Sequence, residues 1–182
     1  LSKFDYIILD NKSQIDILKR YNVNINYSVI PEFIPPLIND EDYRNIPNYI
    51  WDFYKAHKIV IYAMAWVTFY NGIDLYGLDM MISIMRRLKK RGYASIGLVV
   101  KVLGCKPENQ DYYNKIKKQV KDDHLQNDIL FIEESFGEIY PLEREADVMI
   151  RPSCTDGDSV SVRESLYFNV PVVASDAVTR PK

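Results

Sequence analysis

Between Ala146 and Asp176 the chain reads ADVMIRPSCTDGDSVSVRESLYFNVPVVASD. Two apolar runs, ADVMI and VPVVA, bracket a stretch with three acids, two arginines and several serines, an unusual amount of polar chemistry to set between two core strands. Asp156 and Glu164 stand with seven residues between them, which places one acid at a loop tip and the other in the first turns of a following helix. Carboxylates so placed accept hydrogen bonds well, and sugar hydroxyls are good donors. A helix opening near Ser159 to Ser161 would turn its free N–H groups into the same loop, where they favour an anion such as a diphosphate. Gly157 lets backbone come close to a ligand. The same residues also fit a structural reading, because Ser161 and Glu164 match a capping box in which the glutamate ties down its own helix. Spacing alone leaves both readings open.

The surrounding elements decide where such a loop would lie. Short apolar runs alternate with helix-period segments: KIVIYAM, ASIGLVVKVLG, DILFIEE, ADVMIRP and VPVVAS read as strands. Leu75, Leu78, Ile82, Met85 and Leu88 recur at helical spacing, so 74–91 is expected as an amphipathic helix capped by Asp74 and ended by Gly92. QDYYNKIKKQVKD, Glu138 to Arg144 and SVRESLYF complete the helices. Alternating strand and helix predicts an α/β fold, a Rossmann-like doubly wound parallel sheet. In such sheets ligands bind outside the carboxyl ends of strands, and the loop after ADVMIRP sits at one. The amino-terminal FDYIILD reads as a strand, followed by a helix with Ser13 and Asp16 as its capping box. INYSVIPEFIPP, with Pro31, Pro35 and Pro36, is the best linker.

Composition excludes several classes. A net charge of −2 with no long basic run gives no footprint for nucleic acid. Cys105 and Cys154 are isolated, expected as buried thiols, and His57 and His124 are the only histidines, so no metal set is recognisable. The longest apolar run, IVIYAMAWV, falls far short of the roughly 20 residues of a membrane helix, and a cytoplasmic setting is the default expectation. Arg86 to Arg91 is chiefly a solvated helix end, with peripheral contact to an anionic membrane as the other option. The 14 tyrosines are expected mostly at the rim, rings buried and hydroxyls wet. Trp66 is ambiguous between core and ligand stacking. The chain ends read as cuts in a longer protein.

From VIPEFIPP onward the sequence resembles the carboxy-terminal, donor-binding domain of retaining glycosyltransferases of family 4, also called group 1, which have the GT-B architecture of two facing Rossmann-like domains. The resemblance rests on the 146–176 stretch, where the family has an acid, seven residues, a glutamate and then a G-x-P-V-V-A-S strand. Here Asp156 replaces the first glutamate and Asn169 the glycine. The resemblance implies that Asp156 contacts the donor sugar as the catalytic acid position, that Glu164 binds the ribose, and that the amides around Gly157, Asp158, Ser159, Val160 and Ser161 hold the diphosphate, with Arg151 and Arg163 nearby. It implies a nucleotide sugar as partner, no cofactor, no metal at Asp156 or Asp158, and a sugar or lipid-linked acceptor bound by another domain. Residues 1–31 would be a remnant of that acceptor domain, 32–57 a linker and short helix, and 58–182 the incomplete nucleotide-sugar-binding domain. In the family an arginine and a lysine after the first strand neutralise the donor phosphates, and those places hold Trp66 and Asn71, followed by Gly72, Ile73 and Asp74. Arg151, Arg163, Lys101 or Arg180 would have to substitute. Three functions stay open: a transferase of surface polysaccharide or glycoconjugate synthesis, another GT-B enzyme such as a nucleotide-sugar epimerase, and a non-catalytic interaction domain.

Overall fold

The computed structural model describes residues 4–178 and Arg180. At the amino end, β1 (Tyr6–Leu9), α1 (Ser13–Arg20) and β2 (Asn26–Val29) make a parallel strand pair joined by one helix. A proline-rich extended stretch leads to α2 (Asp40–Asn45) and α3 (Asn48–Ala56). Then come β3 (Ile59–Val67), the hairpin strands β4 (Phe69–Tyr70) and β5 (Ile73–Asp74), and α4 (Leu78–Lys90). β6 (Ile96–Cys105), α5 (Gln110–Asp122), β7 (Ile129–Ile132) and α6 (Tyr140–Arg144) follow. β8 (Val148–Arg151), α7 (Val160–Tyr167) and β9 (Val172–Ala174) end the described chain.

Five strands form one sheet in the order β7-β6-β3-β8-β9, and every pairing in it is parallel. Side chains alternate across a strand, so β3 feeds two cores. Ile61, Ala63, Ala65 and Val67 join α4 and α5 on one face, through Met81, Ile82, Met85, Ile116 and Val120. Val60 and Tyr62 join Ile46, Ile50, Leu142 and Val162 on the other. Helices thus cover both faces, as the near-continuous apolar strands require. Strand order matters most for function. From β3 the chain moves to β6 and β7 on one side, and returns to β8 and β9 on the other. The reversal lies between β3 and β8, and the crevice outside their carboxyl ends is where such a sheet binds ligands.

The structure revises several local expectations. Helix α4 begins at Leu78, not at Asp74, because Asn71 and Gly72 both take positive φ and turn the chain into the β4–β5 hairpin. Asp74 still serves the helix from a distance: its carboxylate accepts from the N–H groups of Tyr76, Gly77 and Leu78 and from the Tyr112 hydroxyl. Ser13 is the first residue of α1 and not its cap; Asn11 Oδ1 accepts its N–H instead. Both cysteines are partly exposed, not buried. Most tyrosines are partly or fully exposed, as expected, and Tyr62, Tyr113 and Tyr140 are the buried exceptions.

Candidate donor site

The loop after β8 is pinned on three sides. Cys154 N–H donates to Leu75 O at 3.0 Å, Ser175 Oγ donates to Ser153 O at 2.5 Å, and Gly77 packs directly against Pro152. Within it Asp156 is gripped by two guanidinium groups. Arg151 reaches it from the end of β8 with Nε at 2.9 Å and Nη2 at 3.2 Å, and Arg180 reaches it with Nη1 at 2.7 Å. Burial opposes ionisation of Asp156, but the bonds and charge of Arg151 and Arg180 outweigh it and hold the carboxyl below its usual range.

Helix α7 opens beside this cluster. Its first flanking residue is Ser159, whose hydroxyl meets that of Ser161 at 3.2 Å instead of capping the helix. Ser161 is already inside the helix, so the capping box with Glu164 does not form. Glu164 is half-buried, and burial, together with the charge of Glu138, raises its pKa. Asp158 accepts from Arg163 Nε at 2.6 Å. Among the described residues no cluster of three or more metal-ligating side chains exists.

Two neighbouring cavities open on this edge. One, of about 730 Å³, is lined by Asp158, Arg163 and Arg180 together with Asp10, Lys12, Ser13, Asp16 and Val29 of the amino-terminal unit. The next, of about 420 Å³, is lined by Asn11, Asp156, Gly157 and Asp176. The structure therefore brings Asp158 and Arg163 to one cavity and Asp156 and Gly157 to its neighbour, while Ser159, Val160, Ser161 and Glu164 line neither. A third cavity of about 390 Å³, with Trp51, His57 and Asp147, sits at the amino-terminal edge of β3. Two of its polar groups are already used: Asp147 Oδ2 accepts from Val60 N–H at 2.7 Å, and His57 Nδ1 meets Phe53 O at 2.8 Å.

The two positions that lack cations have become something else. Trp66 is 44% exposed at the end of β3, and its ring lies so close over Gly104 that an added Cβ there would fall 2.2 Å from it. This corrects the core reading of Trp66. Asn71 forms the hairpin tip. Of the candidate substitutes, Lys101 is spent on Glu134 O at 2.6 Å and Arg163 on Asp158, while Arg151 and Arg180 share Asp156. Glu143 was not legible as part of this region. It is wholly buried in α6, its carboxyl meets Ser165 Oγ, and its second oxygen has no partner. Its only sequence signal is an acid set directly after the buried Leu142.

The comparisons agree with this fold. Among curated proteins none matches the chain in sequence. In fold it is similar to the Anabaena protein Alr3699/HepE solved with UDP and glucose, with a TM-score of 0.71 at 14% identity over 93% of this chain and 44% of that one. It is also similar to the α,α-trehalose-phosphate synthase (UDP-forming) of Burkholderia xenovorans, with a TM-score of 0.69 at 13% identity over 94% of this chain and 46% of that one. The carboxy-terminal domain of the Francisella tularensis group 1 family protein LpcC matches with a TM-score of 0.58 at 20% identity, over 80% of this chain and 68% of that one. The chain thus spans less than half the length of the first two. The model of the family "Glycosyl transferases group 1" matches residues 66–182, more than half of the sequence. With the parallel sheet, its switch-point cleft and this match together, the chain belongs to the group 1 glycosyltransferases.

Proposed function

We propose that this chain is the donor half of a retaining glycosyltransferase, binding a nucleoside-diphosphate sugar in the cleft outside β3 and β8. The observation that carries the reading is the pair of cavities at the loop between β8 and α7, one lined by Asp158, Arg163 and Arg180 and the other by Asp156 and Gly157; Glu164 follows in α7, with no capping role. The diphosphate lies over the amides of Ser159 and Val160. Glu164 accepts from the ribose hydroxyls, and Asp156 faces the sugar. Transfer itself needs an acceptor brought against the donor from a second domain, so that the leaving diphosphate is stabilised as charge develops on it. A sugar or lipid-linked acceptor, and a role in surface polysaccharide or glycoconjugate synthesis, fit this reading. Solved neighbours hold UDP, which makes UDP-sugars the first donors to assay.

The test is nucleotide titration of the full-length protein by calorimetry. Glu164→Ala removes charge-assisted hydrogen bonds of roughly 1.5–3 kcal/mol, so diphosphate affinity falls about 10- to 150-fold with little change in melting temperature. Unchanged affinity would return Glu164 to a structural role. Because Asp158 is paired with Arg163, the diphosphate is held by amides and guanidinium groups. Transfer is accordingly expected to survive excess EDTA, and abolition by EDTA with rescue by manganese would contradict this assignment. A second reading has an observation of its own: the absence of cations at Trp66 and Asn71 favours a binding domain without catalysis. Sugar transfer by the full-length protein separates the two.

A further inference from the structure

Asp156 receives more donors than it can use. Oδ2 accepts from Arg151 Nε at 2.9 Å, Arg180 Nη1 at 2.7 Å and Ser153 Oγ at 3.4 Å, and Oδ1 accepts from Arg151 Nη2 and Gly157 N–H, each at 3.2 Å. A carboxylate offers about four lone-pair sites. With five donors in place, no acceptor capacity is left for a sugar hydroxyl. Two guanidiniums share this one carboxylate, all three side chains are 8–14% exposed, and Asp10 and Asp176 line the cavities beside them.

The two arginines are held differently. Arg151 ends a core strand, holds Asp156 with two bonds, and lies 4.6 Å from the centre of the Tyr76 ring. Arg180 comes from the segment after β9 and lines the cleft beside Arg163. Its Nε donates to Ser175 O at 3.1 Å, and Nη2 donates to Ser175 Oγ and Ser153 Oγ, both at 2.9 Å. A guanidinium is planar and moves as one unit, so it leaves Asp156 only by releasing these serine contacts too, and Nη1 carries a second N–H beyond the one given to Asp156. The loop after β3 offers no competing cation, since Phe69 to Leu75 contains only the acid Asp74.

Resting on the donor-site reading above, we propose that Arg180 is a two-position latch. In the empty site it closes on Asp156; when a donor binds, the whole guanidinium swings from Asp156, Ser153 and Ser175 so that Nη1 meets the diphosphate, and Asp156 Oδ2 is freed to accept from the sugar. Asp156 thus stands in for the diphosphate until the donor arrives, and the phosphates gain the cation that Trp66 and Asn71 do not supply. Sugar and diphosphate recognition become coupled through one guanidinium.

Calorimetric titration of the full-length protein with UDP and uridine, and with GDP, ADP and their nucleosides, tests this. Arg180→Gln is expected to weaken the diphosphate at least tenfold while nucleoside affinity stays within twofold, with Arg180→Lys in between. Asp156→Asn, which removes the internal competitor, is expected to bind the bare diphosphate several-fold more tightly, and it keeps the test decisive if Arg180→Gln fails to fold. Equal loss of diphosphate and nucleoside in Arg180→Gln, undiminished diphosphate binding in that variant, or weaker diphosphate binding in Asp156→Asn would each overturn the latch while the donor site stands. A wild-type protein that binds no nucleoside or diphosphate at all would remove the donor site and the latch together.

Discussion

Gly77→Ala is expected to cost at least about 2 kcal/mol of stability and to weaken nucleotide binding at the same time. Gly77 holds φ at +71°, a region in which an L side chain costs roughly 1–2 kcal/mol. Its missing Cβ also matters, since an added one would lie 2.6 Å from the backbone oxygen of Pro152 and 3.1 Å from its Cγ. Backbone cannot swing aside as a side chain can, so Pro152 must move, and Pro152 begins the loop that carries Asp156. Gly72→Ala is the matched control: φ is +77° there but nothing lies within 4 Å. Thermal melts should show the larger drop for Gly77→Ala, and only that variant should lose diphosphate affinity. Equal effects of the two would mean that the contact with Pro152 carries no weight.

The second large effect concerns Glu143 and pH. Burial, opposed by the Ser165 hydrogen bond and reinforced by the charge of Glu164, pushes the Glu143 carboxyl up to about 8, from an ordinary value of 4.5. The folded state therefore keeps a proton that the unfolded chain releases. The stabilisation is fully present below pH 4.5, and it declines as pH rises toward 8 with a limiting slope of about 1.4 kcal/mol per unit. Above pH 8 this contribution is gone. Glu143→Gln cannot titrate, so it removes this slope. The variant should match the wild type near pH 5 and exceed it by several kcal/mol at pH 8, on the scale of roughly 1.4 kcal/mol for each pH unit crossed. Urea denaturation of both proteins at pH 5, 6.5 and 8 measures the difference. Parallel pH profiles would show that Glu143 is ionised in the fold, held by the Arg151 charge that acts on it in the opposite sense.

Much of the fold was legible because its strands announce themselves. IVIYAMAWV and IGLVVKVLGC are apolar on both faces, which only a sheet covered on both sides tolerates. The 110–122 helix is legible to the residue in QDYYNKIKKQVKD. What failed was the start of α4, because Leu75 continued the helical spacing while Asn71 and Gly72 imposed a hairpin. Turn chemistry overrode periodicity there. At the site, the acids and the glycine of TDGDSVSVRE could be found from residue type and spacing. Whether Glu164 capped its own helix could not, because a shift of two residues in the helix start, from Ser161 to Ser159 as the cap, decides it, and element boundaries are poorly specified by local sequence. The partnership of Arg180 with Asp156 spans 24 positions and follows no period, so only the folded chain displays it. Glu143 was hidden for a similar reason: an acid in a short helix ordinarily faces water.

The most direct test is where a nucleoside diphosphate sits when crystals of the full-length protein are soaked with it. The account predicts phosphates at the start of α7 beside Ser159 and Val160, the ribose within hydrogen-bond distance of Glu164, and Arg180 Nη1 turned from Asp156 to the diphosphate. A nucleotide bound instead in the cavity of Trp51, His57 and Asp147, or in the cleft with its ribose far from Glu164, would contradict it.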